Sequence, residues 1–469
     1  MRRAVTSRLL VTSIAVACAA AAGGWRHSYT NMLWADFNSP TLLTPEVNDF
    51  VASAYSIVSL EKCFGRAQNL TTEDAFIAAA GALKAANPSV KTLFYFHASV
   101  DISGPAFAPC YASGAYFLAH PELWLRDDNN ATIMNGPFLS HDLTTGAAER
   151  YMVDTVVGVL MRAPALFDGV FADGTLSQPY ANVSQPREDA VNAAVNAVTL
   201  AESLALNAAR PDAPGGVQVI GNGLAQYHAA NPYYPADDGM GMVPFTDGVC
   251  VEHWAAFEMT DASNCSIIPA MVEDMLARIA AVAALNKTVL IKGWPGPVTT
   301  PITSLGPSWP ASCGAPAGSS HAERGQQALE WFTPAYALFL LAVEPTVFWS
   351  YSWWYSSTDG YYAPATPADA NTTSAPIGWY PDLKRPLGEP AGPAARVSGG
   401  SGWVYTRTFD HAVVTVDLAN WRGATIAWQL DSAAEPPPQP QAQREAAALS
   451  EAAAAATYTN PVRPRLGFP

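Results

Sequence analysis

Three observations predict an α/β chain folded as a (β/α)8 TIM barrel, followed by a small C-terminal antiparallel β unit. Eight short apolar stretches recur between residues 31 and 351, most of them separated by helical segments. No dinucleotide fingerprint follows any of them, because Gly221-Asn222-Gly223 lacks the third glycine that turn requires. The length, 469 residues, suits one large barrel with an appendage. Alternating strands and helices imply a parallel sheet, and eight repeats without the fingerprint favour closure over a doubly wound sheet.

The strands read as residues 31–37, 55–61, 92–99, 167–173, 217–222, 248–252, 288–292 and 347–351. Helical patterns fill 71–86, 149–161, 188–209, 271–285 and 323–341. The first of these opens on Thr71-Thr72-Glu73-Asp74, hydroxyls followed by acids, which suits a helix start. The barrel is thus expected over residues 25–385 and a β domain over 396–432, with strands at 403–409, 412–418 and 425–430. Residues 433–469 read as a tail, with prolines at 436–440 and an alanine-rich run at 446–456 expected to be helical or disordered.

Composition narrows the classes. Hydrophobic residues make up 49% of the chain, enough for a sizeable core. Charged residues are 14%, against roughly 25% in ordinary globular chains, so sugars are one candidate for keeping the surface soluble. A net charge of -15 with six lysines excludes a nucleic-acid partner, which needs basic surface. Met1-Arg2-Arg3 and Arg8, the apolar run at 9–22 and Ala20-Ala21-Ala22 read as a signal peptide over residues 1–22. The run is short for a membrane span of about 20 residues, and no later segment suits one. Export to the outside or to the cell surface is therefore expected. Six acceptor sequons agree with it, at Asn69, Asn130, Asn182, Asn264, Asn286 and Asn371.

Along a barrel strand, side chains alternate between the interior and the helix layer, and active sites gather at the C-terminal strand ends. In Phe167-Asp168-Gly169-Val170-Phe171-Ala172-Asp173, Phe171 and Asp173 share a face, and Asp173 ends the strand pointing inward. In Gly248-Val249-Cys250-Val251-Glu252, Cys250 and Glu252 share the inward face. The fourth and sixth strands have matching parity, so the two carboxylates can lie in one layer. Such a pair suits glycosidic hydrolysis: one attacks the anomeric carbon or activates water, and the other protonates the leaving oxygen. Either alone would read as a strand cap; the shared phase favours chemistry.

Asp36, Glu61, His97, Asn222 and Lys292 also end strands and could hold sugar hydroxyls. Trp254, Trp294 and Trp349, with Trp353 and Trp354, could offer ring faces to a sugar. Each taken singly reads as readily as a satisfied structural group or as loop packing. Asp168, at the start of its strand, reads as structural. No cofactor is implied, and no metal, since no ligand cluster is evident. Loop adjacency pairs Cys63 with Cys110 and Cys265 with Cys313, and leaves Cys250 as a core thiol.

Phe167-Asp168-Gly169-Val170-Phe171-Ala172-Asp173-Gly174 resembles the fourth strand of the hypothetical glycoside hydrolase families. These are barrel proteins similar to endo-α-1,4-polygalactosaminidases and, more distantly, to α-galactosidases. His120-Pro121-Glu122-Leu123-Trp124-Leu125-Arg126-Asp127 and Asp142-Leu143-Thr144 resemble further segments of those families. Pro386-Leu387-Gly388-Glu389-Pro390 and Trp403-Val404-Tyr405-Thr406-Arg407-Thr408-Phe409 resemble the join and first strand of their C-terminal β-domain. The resemblance spans most of residues 29–430. It implies a retaining mechanism, with Asp173 as nucleophile and Glu252 as general acid/base. Ala172 departs from the larger aliphatic usual there, at an outward position, and the β-domain is shortened into the proline-rich tail.

The expectation is an exported glycosidase acting on an oligo- or polysaccharide. A non-catalytic carbohydrate-binding barrel is the alternative, because fold does not fix function. A cell-wall structural glycoprotein is a third reading, suggested by the Pro- and Ala-rich tail. A serine hydrolase is disfavoured, since no Gly-x-Ser-x-Gly occurs.

Overall fold

The computed structural model describes residues 34–37, 41–102, 110–176, 180–224, 239–261, 263–296, 321–352 and 380–429. The signal-like start, Cys313, Trp353, Trp354, Asn371 and the tail lie outside them. Eight strands form one parallel sheet in chain order: β1 (Trp34–Phe37), β2 (Ile57–Leu60), β3 (Lys91–His97), β4 (Gly169–Asp173), β5 (Gln218–Asn222), β6 (Gly248–Trp254), β7 (Thr288–Gly293) and β8 (Val347–Tyr351). Register runs unbroken from Trp34↔Ile57 to Val289↔Val347, except for one shift between β6 and β7. β8 returns beside β1, so the sheet nearly closes into a barrel.

The barrel is a packed core, not a pore. Trp34 stacks on Phe171 at 6.1 Å, and Phe171 stacks on Tyr95 at 6.0 Å. The Trp34 indole N–H reaches across to the Ile291 carbonyl at 3.0 Å. At the other end of β4, Asp168 has the structural role expected of it. It accepts from the Thr92 N–H at 2.9 Å and pairs with Lys84 at 2.6 Å.

Seven α-helices accompany the strands among the described residues: α1 (Pro45–Ala54), α2 (Thr72–Ala86), α3 (Ala112–Ala119), α4 (Gly146–Arg162), α5 (Gln185–Ala209), α6 (Pro269–Ala284) and α7 (His321–Ala342). Helix α2 starts on the Thr71 hydroxyl, which accepts from the Asp74 N–H at 3.2 Å. Helices α1 and α3 are additional to the helical patterns of the sequence. For α1 a signal was present, because Thr44 caps it and Pro45 opens it. α3 has no cap of its own; Glu73 of α2 supplies one, accepting from the N–H groups of Ala112 at 2.9 Å and Ser113 at 3.3 Å.

Glu202, on the inner face of α5, is 2% exposed, and burial raises its pKa from 4.5 to about 8. It is thus protonated in the folded chain at pH 7 and ionised in the unfolded one. Stability is expected to fall as pH rises from 4.5 toward about 8, with a slope approaching about 1.4 kcal/mol per pH unit. Glu202→Gln, neutral at every pH, should remove that slope; denaturation midpoints at pH 5 and 8 test this.

The C-terminal sheet has four strands: β9 (Ala395–Arg396), β10 (Val404–Thr408), β11 (Ala412–Asp417) and β12 (Thr425–Trp428). Its short edge strand β9 was not expected. The pairs β9–β10 and β10–β11 are antiparallel, and β10 and β11 pack against α7. Cys63 and Cys110 are bridged, with sulfurs 2.07 Å apart, and tie the loop after β2 to the start of α3. Cys265 is also disulfide-bonded, and Cys250 is a buried thiol. Asn69, Asn130, Asn182, Asn264 and Asn286 are all exposed. No helix among the described residues is long and apolar enough to cross a membrane.

Candidate active site

Asp173, Asn222 and Glu252 come from consecutive strands and meet at the C-terminal end of the barrel. The Asn222 side-chain nitrogen lies 2.9 Å from Asp173 Oδ1 and 2.7 Å from Glu252 Oε2. Both neighbours are carboxylates, so the amide must turn its NH2 group toward them and give each one N–H. Two oxygens bonded to one nitrogen lie no farther apart than the two bonds laid end to end, about 5.6 Å. Glu252 owes part of its placement to the register shift. Val251 pairs with Ile291 and Trp254 with Gly293, so Glu252 and His253 together oppose Lys292. Such a bulge re-aims side chains at a strand end.

Asp173 is surrounded by donors. Tyr95 Oη donates to Oδ2, and the Gly174 N–H donates to Oδ1 at 2.8 Å. His97 Nε2 stands 3.7 Å from Oδ2. His97 Nδ1 faces the N–H groups of Ser99 and Val100, each at 3.2 Å, and can only accept from them. The ring proton of neutral His97 therefore sits on Nε2, toward Asp173.

Burial opposes ionisation of Asp173, but the charge of protonated His97, then that of Lys62, and hydrogen bonds from Tyr95 and Asn222 outweigh it and hold the carboxyl below its usual range. Burial lowers the His97 pKa to about 4, so at neutral pH the ring is uncharged. Lys62 is then the cation that acts on Asp173. Burial and the Asp173 charge keep Tyr95 protonated as a donor. Behind it, Lys62 Nζ reaches Tyr95 Oη at 3.3 Å and Glu61 Oε2 at 2.9 Å. Glu61 thus joins the site through Lys62 and Tyr95, two residues that the strand ends alone do not single out.

Gly174 makes the close approach of His97 feasible. Its φ is +67°, and an added Cβ would overlap His97 Cε1 and stand 2.7 Å from Ser99 Oγ. Gly174→Ala is expected to cost about 2–3 kcal/mol of stability and to displace His97, readable by thermal unfolding.

Lys292 is 1% exposed, donates to the Ser352 carbonyl at 2.8 Å and to its hydroxyl, and sits 4.6 Å from the Trp294 ring centre. Trp294 donates to the Glu252 carbonyl at 2.8 Å. These two groups therefore buttress the Glu252 end of the site. Trp349 differs from expectation. It lies on the face away from Lys292, completely buried, stacked on Phe339 of α7 at 5.3 Å. Trp254 is 1% exposed as well, because the β6 bulge sets it opposite Gly293 and reverses its face. Both tryptophans are packing groups here, not ring faces at the mouth. The backbone of Asp36 pairs with Ser59 one residue before β1 ends at Phe37, and its side chain is not among the described groups.

The family model described as hypothetical glycosyl hydrolase family 15 matches residues 84–413. The chain belongs to that family. The match runs from the end of α2 into β11, so Asp173, Asn222 and Glu252 all lie within it. No curated protein matches in sequence. Among solved structures, the chain is similar to the galactosidase domain of alpha-galactosidase-sucrose kinase, AgaSK, at 12% identity and TM-score 0.35. That alignment covers 56% of this chain and 33% of the other, so the chain spans about one third of that structure's length. It is also similar to an Anoxybacillus alpha-amylase, at 8% identity and TM-score 0.44, covering 86% of this chain and 94% of that one. An alpha-amylase from Geobacillus thermoleovorans, complexed with acarbose, aligns at 8% identity and TM-score 0.43 over 83% and 86%. All three likenesses are distant.

Proposed function

We propose that this family member is an exported glycoside hydrolase that cleaves an oligo- or polysaccharide with retention of configuration. Asp173 attacks the anomeric carbon and forms a glycosyl-enzyme, while Glu252 gives its proton to the leaving oxygen. Glu252 then takes a proton from water, which attacks the same carbon and frees Asp173. One observation carries this reading: a single Asn222 nitrogen holds an oxygen of each carboxylate. Retaining enzymes keep their carboxyl groups about 5–5.5 Å apart, whereas inverting enzymes need about 6.5–9.5 Å to fit a water between substrate and base. The donors around Asp173 support its role as the anion, since they stabilise a carboxylate ready to attack. The strand-four and strand-six placement agrees with the resemblance to α-galactosidase-like barrels. Export rests on the signal-like start and the sequons.

The test is the anomeric configuration of the first product, followed by proton NMR after a panel of α- and β-linked glycans has identified a substrate. Retention is expected; an initially inverted product would overturn the double displacement.

A further inference from the structure

A depression of about 450 Å3 lies among the described residues, with neither Asp173 nor Glu252 in its walls. Trp124, Arg126, Asp127, Asp128, Asn130 and Arg187 are among its lining groups. Asn130 is also the acceptor of the sequon Asn130-Ala131-Thr132. It is exposed at the tip of a tight turn: its φ is +65°, and its N–H donates to the Asp127 carbonyl at 3.0 Å. Arg126 and Thr132 pair across that turn, and Arg126 Nη1 holds the Asn130 carbonyl at 3.1 Å.

We propose that this depression is the seat of an N-linked glycan carried by Asn130 itself. The inner N-acetylglucosamine units lie with an apolar face toward Trp124 and with hydroxyl and acetamide groups toward Asp128 and Arg187. The proposal rests on the export reading, because the sugar is added there. In that transfer the Asn130 Nδ2 bonds to the anomeric carbon of a lipid-diphosphate-linked oligosaccharide. The carbon–oxygen bond to the diphosphate breaks, the amide loses one proton, and the lipid diphosphate leaves.

Tethering is what favours this occupant over a free saccharide. Its charged rim is open to water: Asp128 and Arg187, paired at 3.4 Å, are 42% and 34% exposed. Solvent-facing polar contacts of that kind contribute little to capturing a free ligand, which must also lose its own freedom of motion. A sugar bonded to the wall is present at an effective concentration in the millimolar range, where the same weak contacts suffice.

The test uses the full chain secreted from a eukaryotic host, with glycopeptide mass spectrometry and native endoglycosidase digestion. Asn130 is expected to be occupied and to release its glycan at least tenfold more slowly than Asn69 and Asn286, which are exposed and outside the depression. Trp124→Ala should bring Asn130 to the rate of the other two. Trp124 also donates to the Phe117 carbonyl at 3.0 Å, so Arg187→Ala, a surface change, is the second variant and should accelerate release severalfold. Equal rates at all three sites would overturn the proposal, as would an empty Asn130 beside occupied Asn69 and Asn286. Absence of sugar at every sequon would sink the export reading with it. Trp124-dependent binding of free chitobiose to Thr132→Ala protein, with Asn130 release as fast as the others, would assign the depression to a free saccharide instead.

Discussion

Asp173→Asn and Glu252→Gln are each expected to slow sugar release by at least about 10^3-fold, roughly 4 kcal/mol of lost transition-state stabilisation. Both substitutions keep size and leave one carbonyl oxygen to accept from Asn222, so the bridge can re-form and the fold should stand. The roles separate by rescue. Asp173→Gly opens space for azide, which can attack the anomeric carbon from the side Asp173 occupied and give a glycosyl azide of inverted configuration. Glu252→Ala leaves the nucleophile in place, so azide would intercept the glycosyl-enzyme and give the retained product. The pH profile adds a signed expectation. Tyr95 donates to Asp173 and lowers its pKa, so Tyr95→Phe should move the acid limb of kcat/KM to higher pH. If no glycan releases sugar, while a bound saccharide is unaffected by Asp173→Asn, the barrel is a binding protein. Release that survives both carboxylate substitutions would place the chemistry elsewhere.

What the sequence revealed and what it hid divide along a physical line. Strand alternation is a local property, so the inward phase of Asp173 and of Glu252 could be read directly from Phe171–Asp173 and Cys250–Glu252. The bulge in β6 is set by pairing with β7, and nothing local announces it. That one inserted residue is why Trp254 turned out buried on the other face. Trp349 was legible: it shares parity with Val347 and Tyr351, and applying the alternation rule to it would have assigned it to the helix layer. Strand alternation puts Tyr95 on the same face as His97, but its link to Asp173 depends on two strands meeting in register at His97↔Asp173. Lys62, one residue past an expected strand end, offered no pattern at all. The same distinction holds for helices. Thr44-Pro45-Glu46 announces α1 within three residues, whereas α3 is capped by Glu73, 39 positions before Ala112.

Arg407→Ala is the substitution outside the site expected to cost most, about 3–5 kcal/mol. The Arg407 side chain is 2% exposed, and it spends its guanidinium on the end of α7. Nη1 donates to the carbonyls of Leu340, Leu341 and Val343 at 3.3, 3.1 and 2.6 Å. Nη2 pairs with Glu344 at 2.8 Å, and Nε reaches the Gly392 carbonyl at 3.2 Å. A helix leaves its last carbonyls without intrahelical partners and its C-terminus partly negative, so a cation from β10 answers both needs. This gives the short C-terminal sheet a role: it closes the helix that leads into β8. Arg407→Lys keeps the charge but loses the planar fork, and should retain about half of the stabilisation. Glu344 is 35% exposed, so Glu344→Gln should cost only about 1 kcal/mol. Denaturant midpoints for the three variants decide the cause. The order Ala, then Lys, then the Glu344 change assigns the stability to carbonyl capping, whereas a Glu344→Gln loss as large as that of Arg407→Ala would assign it to the ion pair.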